Sequence, residues 1–258
     1  MRRVRAAAAA GVLALTVLLT GCSGTADSGT ESDSGATITV FAAASLKSTF
    51  TELGRLFEAE HPDTRVVFDF AGSSDLFTRI DQGAPADVFA SADTANMTKA
   101  VRAGLTASDP VNFATNTLTI VVPPGNPGGV TSFADLARPG LDVVVCAPQV
   151  PCGNATQRIE DLTGVRLSPV SEESSVTDVL GKVVTGQADA GLVYVTDAAG
   201  AGDKVESVPF PESARIVNTY PIAVLQKSGD PYAAGEFAAF VIGPDGRNVL
   251  SAAGFGAP

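Results

Sequence analysis

TITVFAAASLKSTF (residues 37–50) and VVFDFAGSSDLFTRI (residues 66–80) read alike: a β run turns through small residues into a helical pattern, and each puts a serine at the helix start. The first turn of a helix carries unpaired N–H groups and the positive end of the dipole, so it can hold an anion. Ser45 and Ser73 add hydroxyl donors. No Lys or Arg lies between Thr37 and Leu46 or between Val66 and Thr78. An anion here is therefore held by neutral donors, by geometry rather than by opposite charge. Taken singly, the two serines fit plain N-caps better, the more common role for serine at such positions.

Working outward, β-like and helical runs alternate. ITVF is followed by Leu46, Phe50, Leu53 and Phe57 at helical spacing, and RVVFDF by a helix after Ser74. ADVFA precedes a helix from about Ala95; LDVVVCAP precedes helices from about Gly153 and from about Ser175; then comes the strand AGLVYV. This alternation predicts an α/β fold with largely parallel sheets. TLTIVVP (residues 117–123) and TYPIAVLQ (residues 219–226) are expected to carry two crossings between lobes, and the tail to form two helices broken around Gly243-Pro244.

Arg2, Arg3 and Arg5 precede an apolar stretch that ends in Leu19-Thr20-Gly21-Cys22. The stretch reads as a secretory signal, and its end resembles a bacterial lipobox with Cys22 as the lipidated residue. SGTADSGTESDSGA (residues 23–36) has nothing to bury and reads as a tether. Of 17 basic residues, removing the three signal arginines leaves 14 against 28 acidic ones, a formal charge near −14. Nucleic acid and anionic membrane surfaces are poor partners for such a chain. In an extracytoplasmic setting Cys146 and Cys152 of CAPQVPC can close a small disulfide loop; two separate buried thiols are the alternative. The single histidine, His61, has no companions suggesting a metal site. No G-x-S-x-G elbow is present and no S-x-x-K starts at Ser45 or Ser73, which argues against an enzyme.

FAAASL, AGSS, GAPADVFASAD, VPCGNA, AGLVYVTDA and YPIAV, in that order, resemble the periplasmic molybdate-binding proteins of ABC transporters from Thr37 to Phe255. The resemblance implies a two-lobe, type II periplasmic-binding-protein fold, each lobe a mixed, mostly parallel sheet flanked by helices. An oxyanion would sit in the interlobe cleft. The expected division is 1–21 signal peptide, 22–36 tether, 37–115 with 222–258 a discontinuous first lobe, and 116–221 the second. Carried over by position, Ser45 and Ser73 each donate from hydroxyl and N–H. Cys152, where Ala is usual, and Val176 donate backbone N–H, and Tyr194 its phenol. All are donors, which suits a tetrahedral dianion that carries no proton, whereas protonated phosphate also needs an acceptor.

The resemblance further implies a receptor without catalysis or cofactor, lipid-anchored on the outer face of the cell membrane. It would take molybdate and tungstate, act as a monomer, and deliver its cargo to a membrane permease with a cytoplasmic ATPase. A receptor for sulfate or phosphate, and a non-transport surface lipoprotein, are the alternatives. Paired tyrosines for ferric ion are doubtful, because Tyr220 and Tyr232 fall on a crossing strand and a terminal helix.

Overall fold

A computed structural model describes residues 35–258. The signal segment, Cys22 and most of the tether lie outside the described residues. Two five-stranded sheets organise the rest. The first orders its strands β2 (Thr64–Ala71), β1 (Ala36–Ala43), β3 (Val88–Ala90), β10 (Asn218–Val224) and β4 (Val111–Asn116). The second runs β7 (Ser171–Glu173), β6 (Val143–Cys146), β8 (Ala190–Tyr194), β5 (Leu118–Val122) and β9 (Glu206–Val208). Only β10 in the first sheet and β5 in the second run against their neighbours, so each sheet is mixed but mostly unidirectional.

β1 shows why the first sheet is covered on both sides. Ile38, Val40 and Ala42 point to one face and Phe41 to the other, and all four are buried. On the first face, α1 (Lys47–Glu60) brings Phe50, Leu53 and Phe57 at spacings of three and four, which places them on one stripe. Phe50 and Phe57 meet Phe237 of α7 (Pro231–Ile242) edge-on, at centroid distances of 6.2 and 5.3 Å. The opposite face buries Phe41, Phe89 and Ala223 against Leu76 and Ile80 of α2 (Ser73–Asp81) and Met97 of α3 (Thr94–Arg102). The second sheet carries α4 (Pro151–Thr163) and α5 (Val176–Val184) against β6 and β8, with a valine-rich core in place of phenylalanine. The chain ends in α8 (Pro244–Ala252), separated from α7 at Gly243.

The crossings differ from expectation in position. The chain leaves the first sheet after Asn116 and enters the second at Leu118, so TLTIVVP lies in the second sheet after a turnover at Thr117. It returns through the 3-10 turn Pro211–Arg215 and enters the first sheet at Asn218, four residues before the expected boundary at 222. Hydrophobic patterning marks a strand but not which sheet it joins. Asn116 and Asn218 are paired in register at the point where both crossings meet the first sheet, and both are buried.

Candidate functional site

Six segments at the carboxyl ends of parallel strands converge on one pocket, the usual place for ligands in such sheets. From the first sheet come Ala43–Ser45 after β1, Gly72 and Ser73 after β2, and Ala92 after β3. From the second come Val150–Cys152 after β6, Val176 after β7, and Tyr194 at the end of β8. The pocket is small, with about 10 Å³ of room for the centre of a water-sized molecule. All five residues singled out from the sequence, Ser45, Ser73, Cys152, Val176 and Tyr194, line it. Among the described residues no charged side chain does.

Four helices begin here. Ser73 is the first residue of α2 and Val176 the first of α5; Cys152 is the second of α4; Ser45 lies in the 3-10 turn Ala44–Leu46 that leads into α1. Their unpaired N–H groups and dipole ends favour negative charge in the pocket without any cation.

The hydroxyls are oriented by protein donors. The Ala92 N–H donates to Ser73 Oγ at 3.0 Å, so the Ser73 proton is free to point elsewhere. The Asn218 side-chain amide donates to Tyr194 Oη at 2.9 Å, with the same consequence for the phenol. Ser45 Oγ lies 3.1 Å from Tyr220 Oη, and with Tyr220 donating, the Ser45 proton is free as well. A hydroxyl whose lone pair is already engaged acts as a donor toward a ligand.

Burial raises the Tyr194 phenol well above its ordinary pKa, with Asp93 and Asp197 adding negative potential, so it keeps its proton. Burial does the same for Tyr220. Asp197, in the first turn of α6 (Val195–Ala201), accepts the Tyr194 N–H at 3.1 Å, and desolvation pushes its carboxyl up to about 7. Asp75 and Asp178, close in sequence to the donors, are exposed and do not line the pocket.

A disulfide joins Cys146 and Cys152, with Cα atoms 5.6 Å apart, and encloses the segment that carries Val150 and Pro151. Gly153 packs so closely on this segment that a Cβ would sit 2.0 Å from Ala147 O. Across the cleft the Asn96 amide reaches Gln149 O at 3.4 Å, the Asn218 amide reaches Pro151 O at 3.5 Å, and the Asn116 amide donates to Thr196 Oγ1 at 2.8 Å. The walls are thus in contact. Sequence reasoning missed Asn218, Tyr220 and Ala92, since one buried amide beside a strand carries no periodic signal.

His61 stacks on Phe57 at 4.2 Å between ring centroids, within the first lobe, and does not line the pocket. Among the described residues no three His, Cys, Asp or Glu side chains gather as a metal site, and no helix is long and apolar enough to cross a membrane.

The family model for bacterial extracellular solute-binding proteins matches residues 38–256. The molybdate-binding protein ModA of Mycobacterium tuberculosis H37Rv is 60% identical over 221 residues, covering 86% of this chain and 85% of that one. The chain belongs to the ModA family of bacterial extracellular solute-binding proteins. Among solved structures, the periplasmic molybdate-binding protein of Azotobacter vinelandii superposes on this ModA-family chain with a TM-score of 0.73 at 22% identity, covering 86% and 99% of the two chains. The sulfate-binding protein SubI of M. tuberculosis H37Rv gives 0.75 at 21%, covering 85% and 86%. At these identities both establish the two-lobe fold alone.

Proposed function

We propose that this protein is an extracytoplasmic receptor that captures molybdate between its two sheets and delivers it to an ABC permease for import. The observation that carries the reading is the pocket's donor set. The hydroxyls of Ser73 and Tyr194, each accepting from a protein N–H, and that of Ser45, paired with Tyr220, join the backbone N–H groups of Ser45, Ser73, Cys152 and Val176 around a space with no acidic side chain. About seven donors, each charge-assisted bond contributing roughly 1.5–3 kcal/mol before ordering costs, support submicromolar binding of an unprotonated dianion. The 60% identity to ModA of M. tuberculosis favours molybdate among such dianions.

Binding proceeds without chemistry and without a cofactor. Neither serine has a base beside it: Ser73 engages a main-chain N–H and Ser45 a tyrosine, and the one histidine is packed on Phe57. Tungstate binds as molybdate does, the receptor acts as a monomer, and Cys22 carries the lipid that anchors it; the lipobox-like Leu19-Thr20-Gly21-Cys22 supports the anchor.

With no tryptophan in the chain, isothermal calorimetry is the suitable test. The form beginning at Ser23 is titrated with molybdate, tungstate, sulfate and phosphate. Tight one-to-one binding of the first two, with the others at least about a hundredfold weaker, is expected. Heat from sulfate or phosphate alone reassigns the ligand, and silence with all four rejects a receptor for tetrahedral oxyanions.

A further inference from the structure

Gly72 has no conformational need to be glycine. It caps α2 with φ −61° and ψ 140°, in the extended region open to any L residue. What excludes a side chain is the other lobe. A Cβ at Gly72 would lie 2.1 Å from the main-chain oxygen of Ser174 and 3.5 Å from Cγ1 of Val150, and the three nearest atoms all belong to the second wall. Ser174 O is backbone and cannot swing aside as a side-chain tip can. The hydrogen a Cβ would replace therefore points at the Ser174 carbonyl, in the manner of the weak Cα–H···O contacts found where backbones pack closely.

The position of this contact matters. Gly72 directly precedes Ser73, and Ser174 lies two residues before Val176, so the contact ties the donor segment of one wall to the donor segment of the other. We propose that Gly72 is the residue that sets how far the cleft closes, its missing side chain letting the Val176 and Cys152 N–H groups reach an anion already held by Ser73. This rests on the receptor reading above. To bring a Cβ from 2.1 Å to even 3.0 Å, the second wall must retreat by close to the difference, about 0.9 Å. A hydrogen bond of ordinary length weakens steeply over such a step. The lobe that holds Ser45 and Ser73 is untouched by the change, because nothing in it crowds the new methyl.

The test is G72A, studied beside the wild-type protein. Unfolding of the ligand-free forms is followed by circular dichroism, affinity by calorimetry, and amide hydrogen exchange is read with molybdate saturating both. The expected result is an unchanged ligand-free midpoint and molybdate affinity down by about a hundredfold. Exchange protection would be retained around Ser45 and Ser73 but lost around Cys152 and Val176. Undiminished affinity overturns the inference. So does equal loss of protection at both walls, which would mean the methyl meets the anion itself. Silence of the wild-type protein toward molybdate, tungstate, sulfate and phosphate overturns the receptor reading and the inference with it.

Discussion

The two walls of the cleft share a plan but differ in what they offer. The first adds serine hydroxyls to the main-chain N–H groups at its helix starts, beneath which lies a core of stacked and edge-on phenylalanines. The second presents main-chain N–H groups and one phenol over a core of valines, and it alone carries a disulfide. Of the 13 phenylalanines only Phe133 and Phe210 lie between Thr117 and Val217. A wall that donates through side chains depends on residue identity, whereas one that donates through the backbone depends on loop shape.

The sharpest way to break that contrast is to truncate one side chain on each wall. Ser73→Ala removes a hydroxyl donor and leaves the Ala92 N–H without its acceptor, and is expected to weaken molybdate binding by about a hundredfold. Val176→Ala keeps the N–H and should cost less than about threefold, through slightly looser packing of α5. Calorimetry on the two variants decides it: similar losses would mean the walls do not differ in kind.

The next effect concerns loop shape. Replacing both Cys146 and Cys152 by serine leaves every proposed donor in the chain but frees the segment that holds Val150 and Pro151. Stability should fall by about 2 kcal/mol and molybdate affinity by about tenfold, with denaturant unfolding and calorimetry as readouts. The same treatment has no counterpart on the first wall. An affinity unchanged in the double variant would show that α4 and Gly153 alone shape the segment.

How much of this was legible beforehand follows the same division. β1, β2, α1 and α2 were readable because Ile38, Val40, Leu46, Phe50, Leu53 and Phe57 repeat at strand and helix periods, and the serines sit where the period changes. Ser45 and Ser73 could be proposed on chemistry. Val176 and Cys152 could not, since an N–H donor leaves no mark on residue type, and only resemblance to a family pointed to them. The short strands β4, β7 and β9 were passed over: VNFATN, SEE and ESV are polar or brief and are held by their neighbours in the sheet. The seven-residue α6 went unread after Tyr194 for the same want of a periodic pattern. Gly72 was visible only as part of AGSS, because its reason for being glycine is an atom a hundred residues away in the chain.

A smaller effect belongs to the second wall alone. Asp197 backs Tyr194, and desolvation pushes its carboxyl up to about 7. A carboxyl raised in the folded state contributes stability that is present below the unfolded value near 4 and is lost as pH rises through about 7. Asp197→Asn should therefore raise the thermal midpoint at pH 8 and leave it nearly unchanged at pH 4. Loss of the negative charge behind Tyr194 also favours a dianion, so wild-type affinity should rise by about threefold from pH 8 to pH 6, and D197N should flatten that slope. A slope that survives in D197N would assign the titration to another group.

The smallest effect tests whether charge matters at all on either wall. Beside the pocket, sharing Ala44 and Ser45 with it, runs a wider groove edged by exposed Lys47 from the first wall and Lys204 from the second. In a strongly acidic protein these two cations lie where an approaching dianion would meet them, while the pocket itself contains none. Steering of this kind acts on the association rate and fades with salt, whereas a bond in the closed pocket acts on dissociation. Lys47→Ala with Lys204→Ala should slow association by about two- to threefold at low salt and leave dissociation unchanged, with the difference vanishing at high salt. Faster dissociation in the double variant would instead place a lysine on the bound anion, and the division between neutral capture and charged approach would fail.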